Sequence, residues 1–272
     1  MHSKLTRKER LRYARTVMLS EVGEEGQLRL KAASVLLVGV GGLGSPVAMY
    51  LAAAGVGRIG IVDGETVDMT NLQRQVIHDT EMLGRLKIES AREKMLRLNP
   101  HIRIDAHADV FHARNAEKIA GDYAILVDGT DNFPTRYLMN DLCVLTGKTY
   151  VYGAVYRFEG HVSVFDAQKG PCYRCLFPEP PPSDLVVAPS GAGVFSTLPG
   201  TVGTIQASEV LKVILGIGSS LIGKLLLYDA LHARFQEVLL EKRSRCAVCG
   251  AEPEITCISD DGRYGHSVRN RF

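Results

Sequence analysis

From Val35 to Asp63 the chain reads V-L-L-V-G-V-G-G-L-G-S-P-V-A-M-Y-L-A-A-A-G-V-G-R-I-G-I-V-D. An apolar run of strand length meets a glycine turn, a helix-length segment follows, and a second apolar run ends on an acid. Gly39, Gly41 and Gly44 keep the G-x-G-x-x-G spacing, which permits a sharp turn, close approach of backbone to phosphate, and tight packing of helix on sheet. Free N–H groups and the helix dipole at such a turn hold an anion. Asp63 follows the second strand, where an acid accepts hydrogen bonds from a ribose. The stretch predicts a nucleotide site and leaves the nucleotide open.

Working outward, the alternation continues. Strands are expected at Ile102–His107, Tyr123–Val127, Thr149–Ala154, His161–Phe165, Leu225–Asp229 and Arg234–Leu240. Helices are expected at Ser45–Ala54 with Gly55 as terminator, at Gly84–Leu98, around Ala113–Ala120, at Phe133–Gly147, and from about Thr204 to Leu215. Residues 7 to 32 carry helical periodicity with Leu11, Val17, Leu19, Leu28 and Leu30 as buried positions. Arg12 and Arg15, three apart, share a face there, and pattern alone makes it a solvated basic face. This order argues for an α/β fold, a Rossmann-like doubly wound, mostly parallel sheet extended by antiparallel strands.

Composition narrows the class. The chain has 272 residues, 46% apolar and 23% charged, with a formal charge of +2. That suits a packed soluble protein and makes no case for nucleic acid as a partner. The uncharged runs Ala32–Gly57 and Leu185–Ser208 are interrupted by glycines or prolines and do not read as membrane spans. The N-terminus lacks the apolar core of a signal peptide, so a cytoplasmic protein is expected. There, paired Cys-x-x-Cys motifs point to metal rather than disulfide. Cys172/Cys175 and Cys246/Cys249 suit a four-thiolate structural Zn²⁺ site, with two redox dithiols or unrelated buried cysteines as the bland readings. Cys143 reads as core, and Cys257 precedes a polar tail.

Polar residues beside the predicted strand ends carry the chemistry. Asn71 and Arg74 lie in N-L-Q-R-Q, and Lys87 lies in the first turn of a helix, where a cation opposes the dipole. D-G-T-D-N, Asp128 to Asn132, ends a strand on the ligand side of the sheet. A plain turn explains Gly129 and Asn132 equally well, while the two acids invite a metal, with Asp131 placed to hold Mg²⁺ between phosphate oxygens. An amide and two cations near phosphates favour ATP over a nicotinamide cofactor. The alternatives are an NAD-dependent oxidoreductase and a non-catalytic nucleotide- and carrier-binding scaffold.

Seven motifs in order resemble the ThiF/MoeB/HesA-type adenylyltransferases, relatives of ubiquitin-activating enzymes. They are R-Y-A-R-T-V-M-L-S-E-V-G-E-E-G-Q-L-R-L, G-V-G-G-L-G-S, N-L-Q-R-Q, G-R-L-K, D-G-T-D-N, C-Y-R-C-L-F-P and C-A-V-C-G. The resemblance runs from about Leu11 to Glu254. It implies one adenylation domain over 1–272, with N-terminal helices at 1–32, a nucleotide-binding core at 33–170, a carrier-binding and zinc part at 171–250, and a tail at 251–272. It implies that the terminal carboxylate of a ubiquitin-like sulfur carrier protein, ending in Gly-Gly, attacks the α-phosphorus of ATP. Asp63 would hold the ribose, and Gly39, Gly41, Gly42 and Gly44 would form the phosphate turn. Asn71, Arg74 and Lys87 would bind the triphosphate and Asp131 the Mg²⁺. Arg15 matches an arginine that crosses a homodimer interface to the partner's ATP. Apolar surface and the sheet beyond residue 150 would receive the carrier's body. Many relatives carry a cysteine at the head of C-x-x-x-G-V-x-x-x-x-P-G. Here that place is Pro189, so the enzyme is expected to stop at the adenylate, without a covalent intermediate.

Overall fold

The computed structural model describes residues 4–181 and 193–264. Eight strands form one sheet in the order β3-β2-β1-β4-β5-β6-β7-β8. They are β1 Ser34–Val38, β2 Arg58–Val62, β3 Arg103–His107, β4 Ile125–Asp128, β5 Thr149–Tyr156, β6 Glu159–Phe165, β7 Lys224–Asp229 and β8 Arg234–Leu239. The five strands from β3 to β5 run parallel, and β5 to β8 run antiparallel. The helices are α1 Arg7–Arg12, α2 Ala14–Val17, α3 Gly23–Ala32, α4 Gly44–Ala54, α5 Lys87–Leu98, α6 Ala113–Ala120, α7 Phe133–Thr146, α8 Tyr173–Leu176 and α9 Leu198–Leu215.

Central strands are apolar on both faces because both are covered. Val35, Leu37, Ile59, Ile61 and Val127 pack with residues of α4, α5 and α9. Leu36, Val38, Leu126, Tyr150 and Tyr152 face the other way and pack with α6 and α7. Gly55 closes α4 at φ +82° and Gly147 closes α7 at φ +66°, in the left-handed region that glycine enters without strain. Among the described residues no helix is long and apolar enough to cross a membrane.

Several expectations need correcting. The N-terminal periodicity is broken at Tyr13, so Arg12 ends α1 and Arg15 lies on α2. The two arginines therefore do not share a helix face. Arg12 instead donates to the Leu98 carbonyl at 2.7 Å, capping α5. Leu11 and Leu19 are 81% and 54% exposed, and Met18 beside them 74%. Leu30 is buried, whereas Val17 and Leu28 are only partly so. Helix α5 begins at Lys87 rather than Gly84, because Gly84 stands at φ +78° in a turn. Helix α9 starts at Leu198, before the expected Thr204, with Pro199 in its first turn, where a missing N–H costs nothing. The tail is not simply polar: Ile255 and Tyr264 are buried, and the Tyr264 hydroxyl donates to Asp141 at 3.1 Å. Pro189 lies outside the described residues.

Candidate active site

The chain leaves β1 toward β2 and β3, then returns to build β4 to β8 on the other side. The gap between the ends of β1 and β4 is thus a switch point, where open α/β sheets bind ligands. Gly39 ends β1 at φ +89°. A Cβ on Gly44 would stand 2.0 Å from the Gly39 oxygen, and one on Gly129 2.1 Å from it. Gly129 is therefore needed where the loop after β4 packs on the chain leaving β1, a role beyond that of a plain turn. Gly41 differs: a Cβ there would meet nothing closer than Gln75 Nε2 at 3.4 Å. Gly42 lies against Pro199 and the aliphatic stem of Arg74.

Backbone accounting shows what the turn offers. Val40 N–H donates to Asp63 Oδ2 at 3.0 Å, and the Gly41 carbonyl accepts from the Ser45 hydroxyl at 2.6 Å and the Ser45 N–H at 2.9 Å. The N–H groups of Gly41, Gly42, Leu43 and Gly44 donate to no acceptor among the described residues. They lead into α4, which starts at Gly44, so four donors without a partner among the described residues share one place with the positive end of a helix dipole.

Asp63 and Arg74 border this turn, Lys87 acts on Asp63 through its charge, and Asn71 and Asp131 lie on the segments that carry Arg74 and Gly129; one predicted residue stands apart. Asp63 also accepts from the Glu65 N–H at 2.9 Å. Burial pushes its carboxyl above the ordinary range, against the pull of Lys87 and its two N–H partners. The Lys87 side chain is buried, and its ammonium sits 2.6 Å from Glu65, which is exposed. Asn71 and Arg74 share one short segment: Asn71 Oδ1 accepts from the Asp68 N–H at 3.2 Å, and Arg74 donates to the Thr70 carbonyl at 3.0 Å. Asp131 is exposed on the loop between β4 and α7, with no hydrogen bond or ion pair among the described residues. The exception is Arg15, which is exposed on α2 and likewise unpaired among them.

Of the two acids in D-G-T-D-N, only Asp131 is available to a ligand. Asp128 is fully buried and accepts from the Thr130 N–H at 2.8 Å, the Thr130 hydroxyl at 2.7 Å and the Tyr150 hydroxyl at 2.9 Å. Arg136 Nε lies 3.3 Å away, and its NH2 donates to the Thr130 carbonyl at 3.1 Å. Asp128 is thus an internal brace that fixes the loop presenting Asp131. This corrects the reading of two metal-seeking acids.

Sequence reasoning missed three contributors: Gln75, His78 and Ser45. All three are buried. Gln75 Oε1 has no partner among the described residues, and its amide borders Gly41. Each lies in or just after a motif, but nothing in the sequence marks a polar residue there as buried.

The cysteines form a separate centre. Cys172 and Cys246 sulfurs are 3.5 Å apart, as are those of Cys175 and Cys249, and Cys172 to Cys175 is 3.9 Å. All four ligand atoms lie within 4.8 Å of one another. A tetrahedron with Zn–S bonds of about 2.3 Å needs sulfur separations near ~3.8 Å, so the set fits Zn²⁺. The Arg243 N–H points at Cys175 Sγ at 3.4 Å. Gly250 is required by the knuckle, since a Cβ there would stand 2.5 Å from the Cys246 carbonyl. Four thiolates fill a tetrahedral shell and leave no open position, which is the pattern of a structural site. Arg174, between the first two cysteines, is buried and grips Asp141 of α7 at 2.7 and 2.8 Å.

Comparison with known proteins accords with this arrangement. The ThiF family model matches residues 13–248. A sulfur carrier protein adenylyltransferase of Thermus thermophilus is 51% identical over 253 residues, covering 91% of this chain and 93% of that protein. The adenylyltransferase and sulfurtransferase MOCS3 of Drosophila yakuba is 43% identical over 96% of this chain, and that of Sus scrofa 45% over 98%. The chain spans only 58% and 59% of those two proteins' lengths. Among solved structures, E. coli MccB with ATP matches at a TM-score of 0.77 with 22% identity, over 88% of this chain and 73% of that one. PaaA matches at 0.75 with 20% identity, over 89% and 77%. At such identities the likeness is one of fold.

Proposed function

Because this chain belongs to the ThiF family, we propose that it is an ATP-dependent adenylyltransferase acting on the C-terminal Gly-Gly carboxylate of a ubiquitin-like sulfur carrier protein. The observation that carries the reading is the set of four N–H groups at Gly41–Gly44 without a partner among the described residues, bordered by Arg74 and by the loop that carries Gly129. A carboxylate oxygen attacks the α-phosphorus, the bond to the bridging oxygen breaks, and pyrophosphate leaves. The nucleophile is already anionic, so no general base is needed. The obstacle is charge, an anion approaching a polyanion, and donors fixed before the reaction lower it.

Each residue then has a task. Asp63 holds the ribose, and the turn of Gly39, Gly41, Gly42 and Gly44 receives the phosphates. Asn71, Arg74 and Lys87 neutralise the triphosphate, Lys87 exchanging Glu65 for phosphate. Asp131 would hold Mg²⁺, which when bound screens the charge of the phosphate oxygens. Exposed Arg15, beside exposed Leu11, Met18 and Leu19, suits a homodimer in which it reaches the partner's nucleotide. The exposed strand β8 and the sheet beyond residue 150 suit the carrier's body. A cytoplasmic setting, where thiols stay reduced, fits the four-thiolate Zn²⁺ site. Pro189 supplies no nucleophile, so the product is the free acyl-adenylate, which an external sulfur donor attacks.

The test is pyrophosphate–ATP exchange with a carrier ending in Gly-Gly. Exchange requiring both carrier and Mg²⁺ is expected. Its absence with carriers from both thiamine- and molybdopterin-type pathways would overturn the reading. A reducible covalent carrier–enzyme adduct in mass spectrometry would overturn the role given to Pro189.

A further inference from the structure

The carbonyls of the glycine turn decide where its N–H groups point, and one of them is held by a residue outside the set above. The Val40 carbonyl lies 3.0 Å from His78 Nε2. A carbonyl only accepts, so Nε2 carries the ring proton. Nδ1 is then free to accept from the Ser90 hydroxyl at 2.9 Å. His78 is 5% exposed and Ser90 1%, so water does not compete for either bond. Burial, aided by the Lys87 charge and opposed by the Val40 bond, brings the imidazole pKa down to about 4.

A trans peptide is planar, and its C=O and N–H point in opposite directions. Holding the Val40 carbonyl toward His78 therefore aims the Gly41 N–H the other way, where it has no acceptor among the described residues. Ser45 does the same for the Gly42 N–H by taking the Gly41 carbonyl. His78 follows the segment that carries Asn71 and Arg74, and Ser90 belongs to α5, which starts at Lys87. One imidazole thus joins the glycine turn, the cation-bearing segment and the lysine helix.

We propose that His78 is a positioning residue for the nucleotide's phosphates: a neutral imidazole, oriented by Ser90, that locks the Val40–Gly41 peptide with its N–H facing the phosphate. This rests on the ATP reading above. Were that peptide to turn over, the Val40 oxygen would meet the phosphates and attraction would become repulsion. The adenosine end, held by Asp63, should not register the change.

The test compares ATP with adenosine. His78→Phe keeps a ring but removes both nitrogens, and His78→Gln keeps an N–H donor of similar reach. In calorimetric titration, His78→Phe should raise the ATP dissociation constant by about 10- to 100-fold, the loss of one charge-assisted hydrogen bond. Adenosine should change by less than about threefold, and His78→Gln should recover most of the ATP loss. If His78→Phe does not fold, Ser90→Ala, which frees the ring to move its proton to Nδ1, should weaken ATP by about 3- to 10-fold on the same scale. Unchanged ATP binding, or equal weakening of ATP and adenosine, would overturn the proposal. A wild-type protein that binds ATP no better than adenosine would instead refute the ATP reading on which it rests.

Discussion

Two glycines of one motif should fail in opposite ways. In Gly44→Ala the new methyl would sit 2.0 Å from the Gly39 oxygen, inside the 3.0 Å that real Cβ contacts respect. Gly39 cannot retreat easily, because Gly129 packs on its carbonyl from the other side. A shift of more than about an ångström is required where the end of β1 meets the start of α4, at a cost of about 1–3 kcal/mol. Gly41→Ala meets only the Gln75 amide at 3.4 Å, and its backbone is not in the left-handed region. Its stability should stay within about 1 kcal/mol of wild type. On the ATP reading, however, its methyl, with only Gln75 within 4 Å, takes space that the phosphates need. Loss of one or two charge-assisted bonds predicts at least about 100-fold weaker ATP binding. Thermal unfolding and ATP titration of both variants make the assay. A Gly41→Ala protein that binds ATP within about threefold of wild type would refute the reasoning, as would a Gly44→Ala protein that melts with wild type.

Other consequences can be measured alongside. Asp131→Asn should melt normally, since the carboxylate has no partner among the described residues, yet lose about 100-fold or more in Mg²⁺-dependent pyrophosphate exchange. Elemental analysis should find one zinc per chain, and Cys246→Ser should lose it and unfold more readily, by about 3 kcal/mol or more. His78 gives a pH signature in stability. Its folded pKa lies below the ordinary 6.5, so the unfolded chain takes up the proton first as pH falls. The contribution is therefore complete above about pH 6.5 and is lost as pH falls toward about 4, amounting to about 3 kcal/mol. Denaturant titrations at both ends of that window should show His78→Phe with a correspondingly flatter pH dependence.

The sequence by itself determined the alternation of strands and helices, the placing of the glycine turn after β1 and the pairing of the cysteines. Those features rest on local rules: apolar runs of strand length, glycine where φ turns positive, and ligand spacing within one knuckle. The motif order also named Asp63 and Arg74, which border that turn. Burial of polar groups was not legible, because it depends on what packs from elsewhere. Asp128 and Asp131 look alike in D-G-T-D-N, and only the arrival of Arg136 and Tyr150 makes one a brace and leaves the other free. Leu11 and Leu19 follow a helical period, but the break at Tyr13 turns them outward. At the opening stretch the division is sharpest. Its spacing announces a phosphate turn, while the directions of the Val40, Gly41 and Gly42 N–H groups are set by Asp63, His78 and Ser45. His78 and Asp63 lie 38 and 23 residues from Val40 along the chain, so only the folded protein brings them to the peptides they orient.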